Sequence, residues 1–260
     1  MISTLLKSKL EKNELTIGSW ITIGHPSVVE VLSEAGFDWL AIDMEHTTID
    51  FSIVQILIST IQSRGMSALV RVSKNDEVSI KKVMDAGADG VIVPLINNAA
   101  DAKKAVSYVK YPPEGIRGVG LYRAQQYGLK NNFDEYKTWQ SNHAVIIAQI
   151  EHIDAVGNIE NIISTPGIDG IMIGPYDLSA SMGIPGDLNN PKVLECIRVV
   201  EEKCRLMNYP LGFHSVSPDG KYLREKIQLG FTFLAFSTDC LFLGSKAIEE
   251  MKNLEHAKIK

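Results

Sequence analysis

Two carboxylates that could hold a metal ion, Glu151 and Asp177, stand one strand-and-helix unit apart in this sequence. Each closely follows a short apolar run typical of a buried strand, 145–150 and 170–173. Two oxygen ligands without a cysteine pattern suit Mg²⁺ or Mn²⁺, with Co²⁺ as a further candidate, because these ions also bind water or substrate oxygens. The alternative is that each carboxylate caps the helix that follows it.

An arginine, Arg71, lies in the apolar run 68–72, and Leu69 should face the same side of that strand. A guanidinium buried at a strand end needs an anionic partner. The partner is either Glu45, in a structural ion pair, or a carboxylate or developing enolate oxygen of a substrate, which suits a planar donor.

A histidine, His46, follows Glu45 just after a third apolar run, 39–43. Successive strand residues face opposite sides, but the turn at a strand end relaxes this constraint. Imidazole titrates near neutral pH, so we interpret His46 as a general base, with a purely structural histidine as the alternative. Weaker candidates for the same role are His25, His152 and His214.

A possible anion-binding turn, 174–179 (GPYDLS), leaves the run 170–173 and begins a helix. Its backbone N–H groups, interrupted at Pro175, could bind a carboxylate beside a metal held by Asp177. A plain turn with an aspartate cap is the alternative.

The elements that must position these residues form a regular repeat of strand and helix, eight times over. This repeat predicts an α/β fold, a closed (β/α)₈ TIM barrel, with a functional site at the carboxyl ends of the strands. An open doubly wound sheet is less favoured, since no G-x-G-x-x-G follows the first strand. The strand candidates are 16–23, 39–43, 68–72, 90–94, 145–150, 170–173, 209–213 and 231–237.

Residues 1–260 are expected to form a single barrel domain, with a long excursion at 111–143 between the fourth helix and the fifth strand. The excursion is rich in aromatic residues, so we expect it to be folded, with a short helix at 133–140. Three helices end in glycine directly before a strand, where a positive φ stops a helix: Gly36, Gly87 and Gly230.

The composition excludes several classes of protein. With 45% hydrophobic and 22% charged residues the chain is typical of a globular domain, and its net charge of −5 argues against a nucleic-acid partner. No apolar run suggests a membrane span or a signal peptide. The three cysteines cannot all pair, which favours a reducing cytoplasm. We therefore expect a cytoplasmic protein that acts on small molecules.

Five segments together resemble a known family in identity and order. They are similar to the HpcH/HpaI class II pyruvate aldolases, typified by 4-hydroxy-2-oxoheptanedioate and 2-keto-3-deoxy sugar acid aldolases. The resemblance spans about residues 18–243 and implies a barrel of the phosphoenolpyruvate/pyruvate-type superfamily, in a homo-oligomer, usually a hexamer, with an exchanged C-terminal helix. The segments are 43–46 (DMEH), 71–72 (RV), 112–120 (PPEGIRGVG), 149–151 (QIE) and 174–183 (GPYDLSASMG).

The resemblance implies roles for five side chains. Glu151 and Asp177 would bind the divalent metal, which chelates pyruvate, and Arg71 would support the enolate oxygen. His46 would transfer a proton, assisted by Asp85 from across a subunit boundary.

It also implies binding roles for three further residues. Gln149 would lie near the water shell of the metal, and the backbone at Gly174 and Tyr176 would hold the substrate carboxylate. Tyr176 replaces a small residue that is frequent in the family, and the segment 121–128 is unusually aromatic and polar.

The expected reaction is the reversible cleavage of a 4-hydroxy-2-oxo acid to pyruvate and an aldehyde by a metal-dependent aldolase. Breaking the C3–C4 bond places negative charge on the C2 oxygen, where a Lewis acid and an arginine stabilise it. One alternative is a Schiff-base aldolase that uses Lys74, the lysine closest to a strand end. Others are an acyl-CoA lyase, for which no basic rim is evident, and a non-catalytic sugar-acid or keto-acid binding protein.

Overall fold

Eight parallel strands form the centre of the computed structural model, which describes residues 5–130 and 133–258. Each strand pairs with the next along the chain, and β8 pairs with β1, so that the sheet closes. The predicted (β/α)₈ barrel is therefore confirmed. The strands are β1 (Thr16–Ile21), β2 (Trp39–Asp43), β3 (Ser67–Arg71), β4 (Gly90–Val93), β5 (Val145–Ile150), β6 (Gly170–Ile173), β7 (Leu211–Ser215) and β8 (Phe233–Thr238).

Helices cover the outside of this barrel. Most begin at a side-chain cap, as at Asp50, where the carboxylate accepts the N–H groups of Ser52 and Ile53. The helices are α1 (Leu5–Glu11), α2 (Pro26–Ser33), α3 (Phe51–Ser63), α4 (Glu77–Asp85), α5 (Ala99–Val109), α6 (Phe133–His143), α7 (Ile153–Gly157), α8 (Ile159–Ile163), α9 (Pro175–Ser181), α10 (Pro191–Leu206), α11 (Gly220–Gln228) and α12 (Asp239–Lys258).

One strand boundary differs from its prediction in a way that affects the site. The run 209–213 was expected to be a strand, but β7 starts after Pro210, which has no N–H to donate to a strand ladder. The strand extends instead through His214 and Ser215. His214 thus lies at the carboxyl end of β7.

Helix α1, which the sequence pattern did not predict, closes the amino-terminal end of the barrel. Its Leu6 and Leu10 are buried in the cluster that fills the barrel interior, together with Trp39 and Phe233, whose rings stack at 4.5 Å. The amphipathic signal of a seven-residue helix is too short to recognise without the surface that it covers.

An aspartate immediately precedes each of β2, β4 and β6 and ties it to the preceding strand. The three helix-ending glycines, Gly36, Gly87 and Gly230, have φ values of 79°, 96° and 90°, as expected. Two of them, Gly36 and Gly87, lie two positions before one of these aspartates. Each carboxylate accepts a hydrogen bond from a backbone N–H of the preceding strand at 2.8 Å. These bonds help to fix the register between neighbouring strands. The pairs are Asp38 with Ile17, Asp89 with Ala68, and Asp169 with Ile146.

Ionisation of Asp89 should make stability depend on pH. Burial raises the pKa of Asp89 from 3.8 to about 6, so the folded protein holds this proton more tightly than the unfolded chain. The stabilising contribution is complete below about pH 4 and lost as the pH rises through about 6, a change of about 3 kcal/mol. When the free energy of unfolding is measured in urea from pH 4 to 7, Asp89→Asn should lack this pH-dependent decrease. Asp187→Asn, at an exposed position, should keep the decrease seen in wild type. A wild-type pH dependence in Asp89→Asn would show that Asp89 is not its source.

The excursion between α5 and β5 packs against the end of α4. The Arg117 side chain is fully buried over the Tyr111 ring, 4.6 Å from its centroid, and its Nη2 donates to Asp85 at 2.5 Å. Arg123 donates to the Ala86 carbonyl at 2.9 Å. Where a helix at 133–140 was expected, α6 continues to His143.

The C-terminal helix α12 exposes apolar side chains along its length. Leu243 is 68% exposed, and Ile248, Met251 and Leu254 are each more than half exposed. Within the described residues, no helix is both long and apolar enough to cross a membrane. These side chains therefore form an exposed apolar surface on α12.

Candidate active site

A narrow cavity of about 50 Å³ lies at the carboxyl ends of the strands. Side chains from five strands and one helix line it, as the barrel prediction requires. They include Trp20 of β1, Arg71 of β3, Gln149 of β5, His214 of β7 and Asp177 of α9.

Arg71 is held mainly by Asp43. Its Nε and Nη2 donate to the two carboxylate oxygens at 3.0 and 2.8 Å, and the guanidinium lies 4.3 Å from the centre of the Trp20 ring. The predicted partner Glu45 is only a secondary contact, at 3.4 Å from Nε. Asp43 and Arg71 are register partners in β2 and β3, so strand alternation offered a signal for this pair.

The Asp43 carboxylate is ionised. Burial alone would raise its pKa, but hydrogen bonds and charge from Arg71, with backbone donors at Glu45 and His46, hold the pKa of Asp43 below 3.8. The bidentate pair fixes the plane of the guanidinium at the rim of the cavity.

Glu45 is an acidic group that the sequence analysis considered only as a partner of Arg71. The pKa of Glu45 is raised to about 7. Burial is the main cause and the charge of Arg71 opposes it, while nearby carboxylates, including Glu151 and Asp177, raise the pKa further. Its Oε2 is buried without a hydrogen-bond partner and lies 3.6 Å from Nε2 of His46. The His46 side chain is 58% exposed, so it borders the solvent-facing side of the site.

Glu151 does not cap a helix. Its Oε1 accepts the Leu95 N–H at 2.7 Å, and its Oε2 accepts a short hydrogen bond from Gln149, while His152 provides the cap of α7. Leu95 adopts a φ of 53°, a conformation that costs energy for a branched side chain, in order to present this N–H. The capping alternative for Glu151 is therefore wrong.

Gly174 brings β6 close to this carboxylate. A Cβ atom at position 174 would lie 3.0 Å from Oε2 of Glu151 and 3.4 Å from Nε2 of Gln149. The Gly174 N–H already donates to the Ile150 carbonyl at 3.0 Å, which corrects the expectation that it binds a substrate carboxylate. Gly174 contributes space to the site.

Helix α9 begins directly after this glycine and carries Tyr176 and Asp177 in its first turn. The backbone N–H groups of these two residues have no acceptor within the helix, because the first turn lacks preceding carbonyls. Both residues line the cavity, and Tyr176 is 51% exposed. Of the anion-binding turn predicted at 174–179, the donors that remain beside the cavity are therefore these two N–H groups.

The charges around the cavity fit a bound cation. Burial raises the pKa of Glu151, hydrogen bonds from Leu95 and Gln149 lower it, and the charge of Asp177 raises it. Oε1 of Gln149, an acceptor, is also buried without a partner. Among the described residues, no three His, Cys, Asp or Glu side chains are grouped as a metal site. The fit of a cation therefore rests on the carboxylates of Glu151 and Asp177. It also rests on unpartnered acceptors such as Oε1 of Gln149, which a cation or a water molecule bound to it could satisfy.

Several predicted residues lie outside the cavity. Asp85 ends α4 and its carboxylate pairs with Arg117 of the excursion, so within one chain this carboxylate has Arg117 and not His46 as its partner. His25 and His152 cap α2 and α7 with their Nδ1 atoms. Lys74 is exposed in the turn after β3 and lacks the desolvation that a Schiff-base lysine needs.

Comparison with known proteins agrees with this geometry. The family profile described as HpcH/HpaI aldolase/citrate lyase matches residues 16–243. The chain belongs to this family. Membership confirms the resemblance seen in the five sequence segments of this HpcH/HpaI protein.

Individual members of the family are similar over nearly the whole chain. A 2-dehydro-3,6-dideoxy-6-sulfogluconate aldolase of Pseudomonas putida is 36% identical over 92% of each chain. A pyruvate aldolase of Rhizobium etli is 34% identical, covering 93% of this chain and 94% of the relative. A solved HpcH/HpaI aldolase/citrate lyase family structure from Burkholderia cenocepacia superimposes with a TM-score of 0.91 at 30% identity, covering 97% and 99% of the two chains. The prediction of an aldolase, a carbon–carbon lyase, is confirmed.

Proposed function

We propose that this HpcH/HpaI aldolase uses a divalent metal ion to cleave a 4-hydroxy-2-oxo acid reversibly into pyruvate and an aldehyde. The observation that carries the proposal is the mutual proximity of three carboxylates, since, besides burial, the charges of Glu151 and Asp177 raise the pKa of Glu45. Asp177 lines the cavity together with Arg71. Such a cluster favours a cation, and a 2-oxo acid offers two oxygens to bind it.

Glu151 and Asp177 would hold Mg²⁺ or Mn²⁺, with Co²⁺ as a third candidate. When bound, the metal supplies a Lewis acid for the C2 oxygen of the substrate. Arg71, oriented by Asp43, donates to the same oxygen as negative charge develops there. The Tyr176 N–H binds the substrate carboxylate at the start of α9.

His46 would remove the proton from the C4 hydroxyl. As that proton leaves, the C4–O bond becomes a carbonyl, the C3–C4 bond breaks, and its electron pair remains on the pyruvate fragment as an enolate. Protonation at C3 then gives pyruvate. The open side of the site, where His46 is exposed, leaves space for the aldehyde.

Loss of the planar guanidinium of Arg71 should slow the reaction strongly. Arg71→Lys keeps a positive charge beside Asp43 but loses the planar pair of donors, so we expect kcat/KM to fall roughly 10²-fold, about 3 kcal/mol. Pyruvate release gives the rate. Arg64→Lys, at an exposed ion pair with Glu30, is the matched control, and an Arg71→Lys enzyme within threefold of wild type would contradict the role.

The function is tested by a panel of 4-hydroxy-2-oxo acids with pyruvate release as the readout, comparing sugar-acid with dicarboxylate substrates. We expect release that EDTA abolishes and Mn²⁺ restores. Borohydride trapping in the presence of pyruvate separates the alternatives: a reduced adduct at Lys74 would support the Schiff-base aldolase instead. Binding without turnover of any substrate would support a non-catalytic protein.

The proposal includes assembly into a homo-oligomer, with a hexamer expected from the resemblance. The exposed apolar side chains of α12 support it, since a second copy could cover them. Asp85 pairs with Arg117 within its own chain, so we propose that it assists the His46 of a neighbouring subunit. All three cysteines are free, which supports a cytoplasmic location.

A further inference from the structure

Arg117 is a buried cation whose charge is matched by one carboxylate. Its fully buried guanidinium lies over the rings of Tyr111 and Tyr136, 4.6 and 6.0 Å from their centroids. Nη2 donates to Oδ1 of Asp85, while Nε and Nη1 have no hydrogen-bond partner among the described residues. A buried guanidinium stays charged and needs an anion, so Asp85 is the group that Arg117 holds.

This contact occupies only one oxygen of Asp85. In the pair of Arg71 with Asp43, by contrast, both carboxylate oxygens accept hydrogen bonds. Oδ2 of Asp85 accepts none from the part of the chain that the structure describes. The Asp85 side chain is only partly buried, and it lines a cavity of about 400 Å³ together with Tyr122. One oxygen is therefore held inside the fold, and the other remains available.

A glycine leaves space beside the available oxygen. A Cβ atom at Gly120 would lie 3.5 Å from Oδ2 of Asp85, in van der Waals contact with it. The chain neighbours of Gly120, Val119 and Leu121, each expose more than half of their apolar side chains, as expected of a surface that another subunit covers. Oδ2 is thus an acceptor next to an exposed apolar segment.

We propose that Arg117 is a positioning residue of the active site. It holds Oδ1 of Asp85 from inside the fold and so presents Oδ2 as the acceptor for a ring N–H of His46 in a neighbouring subunit. This inference rests on the proposed function, in which Asp85 assists that histidine. A carboxylate that accepts one ring N–H fixes the tautomer, so that the other ring nitrogen can take a proton. Arg117 has no contact with the cavity at the strand ends, so its effect passes through Asp85.

A double-mutant cycle tests whether Arg117 acts through Asp85. Arg117→Met keeps an unbranched side chain but no donor, and it should lower kcat for pyruvate release roughly 10²-fold, because misplaced catalytic groups cost about this much. KM should change less than kcat. In Asp85→Asn an NH₂ group replaces Oδ2, so adding Arg117→Met there should change kcat by no more than about twofold. Equal losses in both backgrounds would show a merely structural role and overturn the proposal.

Mixed oligomers test whether the positioned carboxylate serves another subunit. Arg117→Met and His46→Ala chains are assembled together, and mixed assembly is verified by native mass spectrometry. Sites that combine His46 of the first chain with Arg117 and Asp85 of the second should regain activity, so the mixture should exceed the mean of the two separate variants. A mixture at that mean, or a wild-type chain that stays monomeric at assay concentrations, would overturn the proposal.

A second variant leaves the buried arginine in place, in case Arg117→Met does not fold. Gly120→Ala adds a methyl group against Oδ2 of Asp85 and should lower kcat. Gly118→Ala, whose Cβ would meet no atom within 4 Å, is the matched control and should retain wild-type kcat. Equal kcat in these two variants would overturn the role of Oδ2 and leave the aldolase intact. If wild type releases pyruvate from no 4-hydroxy-2-oxo acid, the proposed function itself fails.

Discussion

Asp177→Asn and Glu151→Gln should each lower kcat/KM for cleavage by about 10³-fold or more, because a catalytic metal contributes several kcal/mol of charge stabilisation. Each substitution removes one of two proposed protein ligands while preserving side-chain volume. In Glu151→Gln the amide oxygen can still accept the Leu95 N–H, so the local backbone need not change. Mn²⁺ titration and pyruvate release measure the two effects.

The unfolding temperature of each variant distinguishes loss of the metal from misfolding. Burial and the charge of Asp177 both raise the pKa of Glu151, so a neutral glutamine should not lower the unfolding temperature in EDTA. Asp154→Asn, at an exposed carboxylate just after the same strand, should behave as wild type. Variants that keep both wild-type Mn²⁺ affinity and wild-type rate would exclude Glu151 and Asp177 as ligands.

Replacing His46 should have the second large effect, a loss of roughly 10²–10⁴-fold in kcat, the usual range for a general base. His46→Ala removes an imidazole that lies 3.6 Å from Glu45 without disturbing the bidentate pair of Asp43 and Arg71. The rate of pyruvate release at saturating substrate measures the loss.

The exposure of His46 allows a sharper readout than the rate alone. Because its side chain is 58% exposed, added imidazole should reach the vacated space and restore part of the activity of His46→Ala. The same addition should not help Arg71→Lys, in which the base is intact. A His46→Ala enzyme with nearly wild-type kcat would transfer the role of base to another group, of which Glu45 is the nearest.

The acidic pair Asp43 and Glu45 shows where sequence reasoning reached its limit within the site. Asp43 is the last residue of β2 and Glu45 lies two positions later, and the sequence identified Arg71 as a cation in need of a partner. The choice of Asp43 depends on the register of β2 against β3, which places Asp43 opposite Arg71. The pKa of Glu45, near 7, depends further on carboxylates from β5 and α9, which are distant in sequence.

The sequence by itself determined the barrel and the strand ends that carry its chemistry, since apolar runs, helix-stopping glycines and short motifs are local signals that each element expresses alone. Only the tertiary structure decided that Asp43 holds Arg71, that Gly174 gives space, and that α1 closes the barrel. It also left Nε2 of His214 without a partner in the cavity. These features depend on how the closed sheet staggers its strands, because burial, partner choice and pKa are set by neighbours that no local stretch of chain contains.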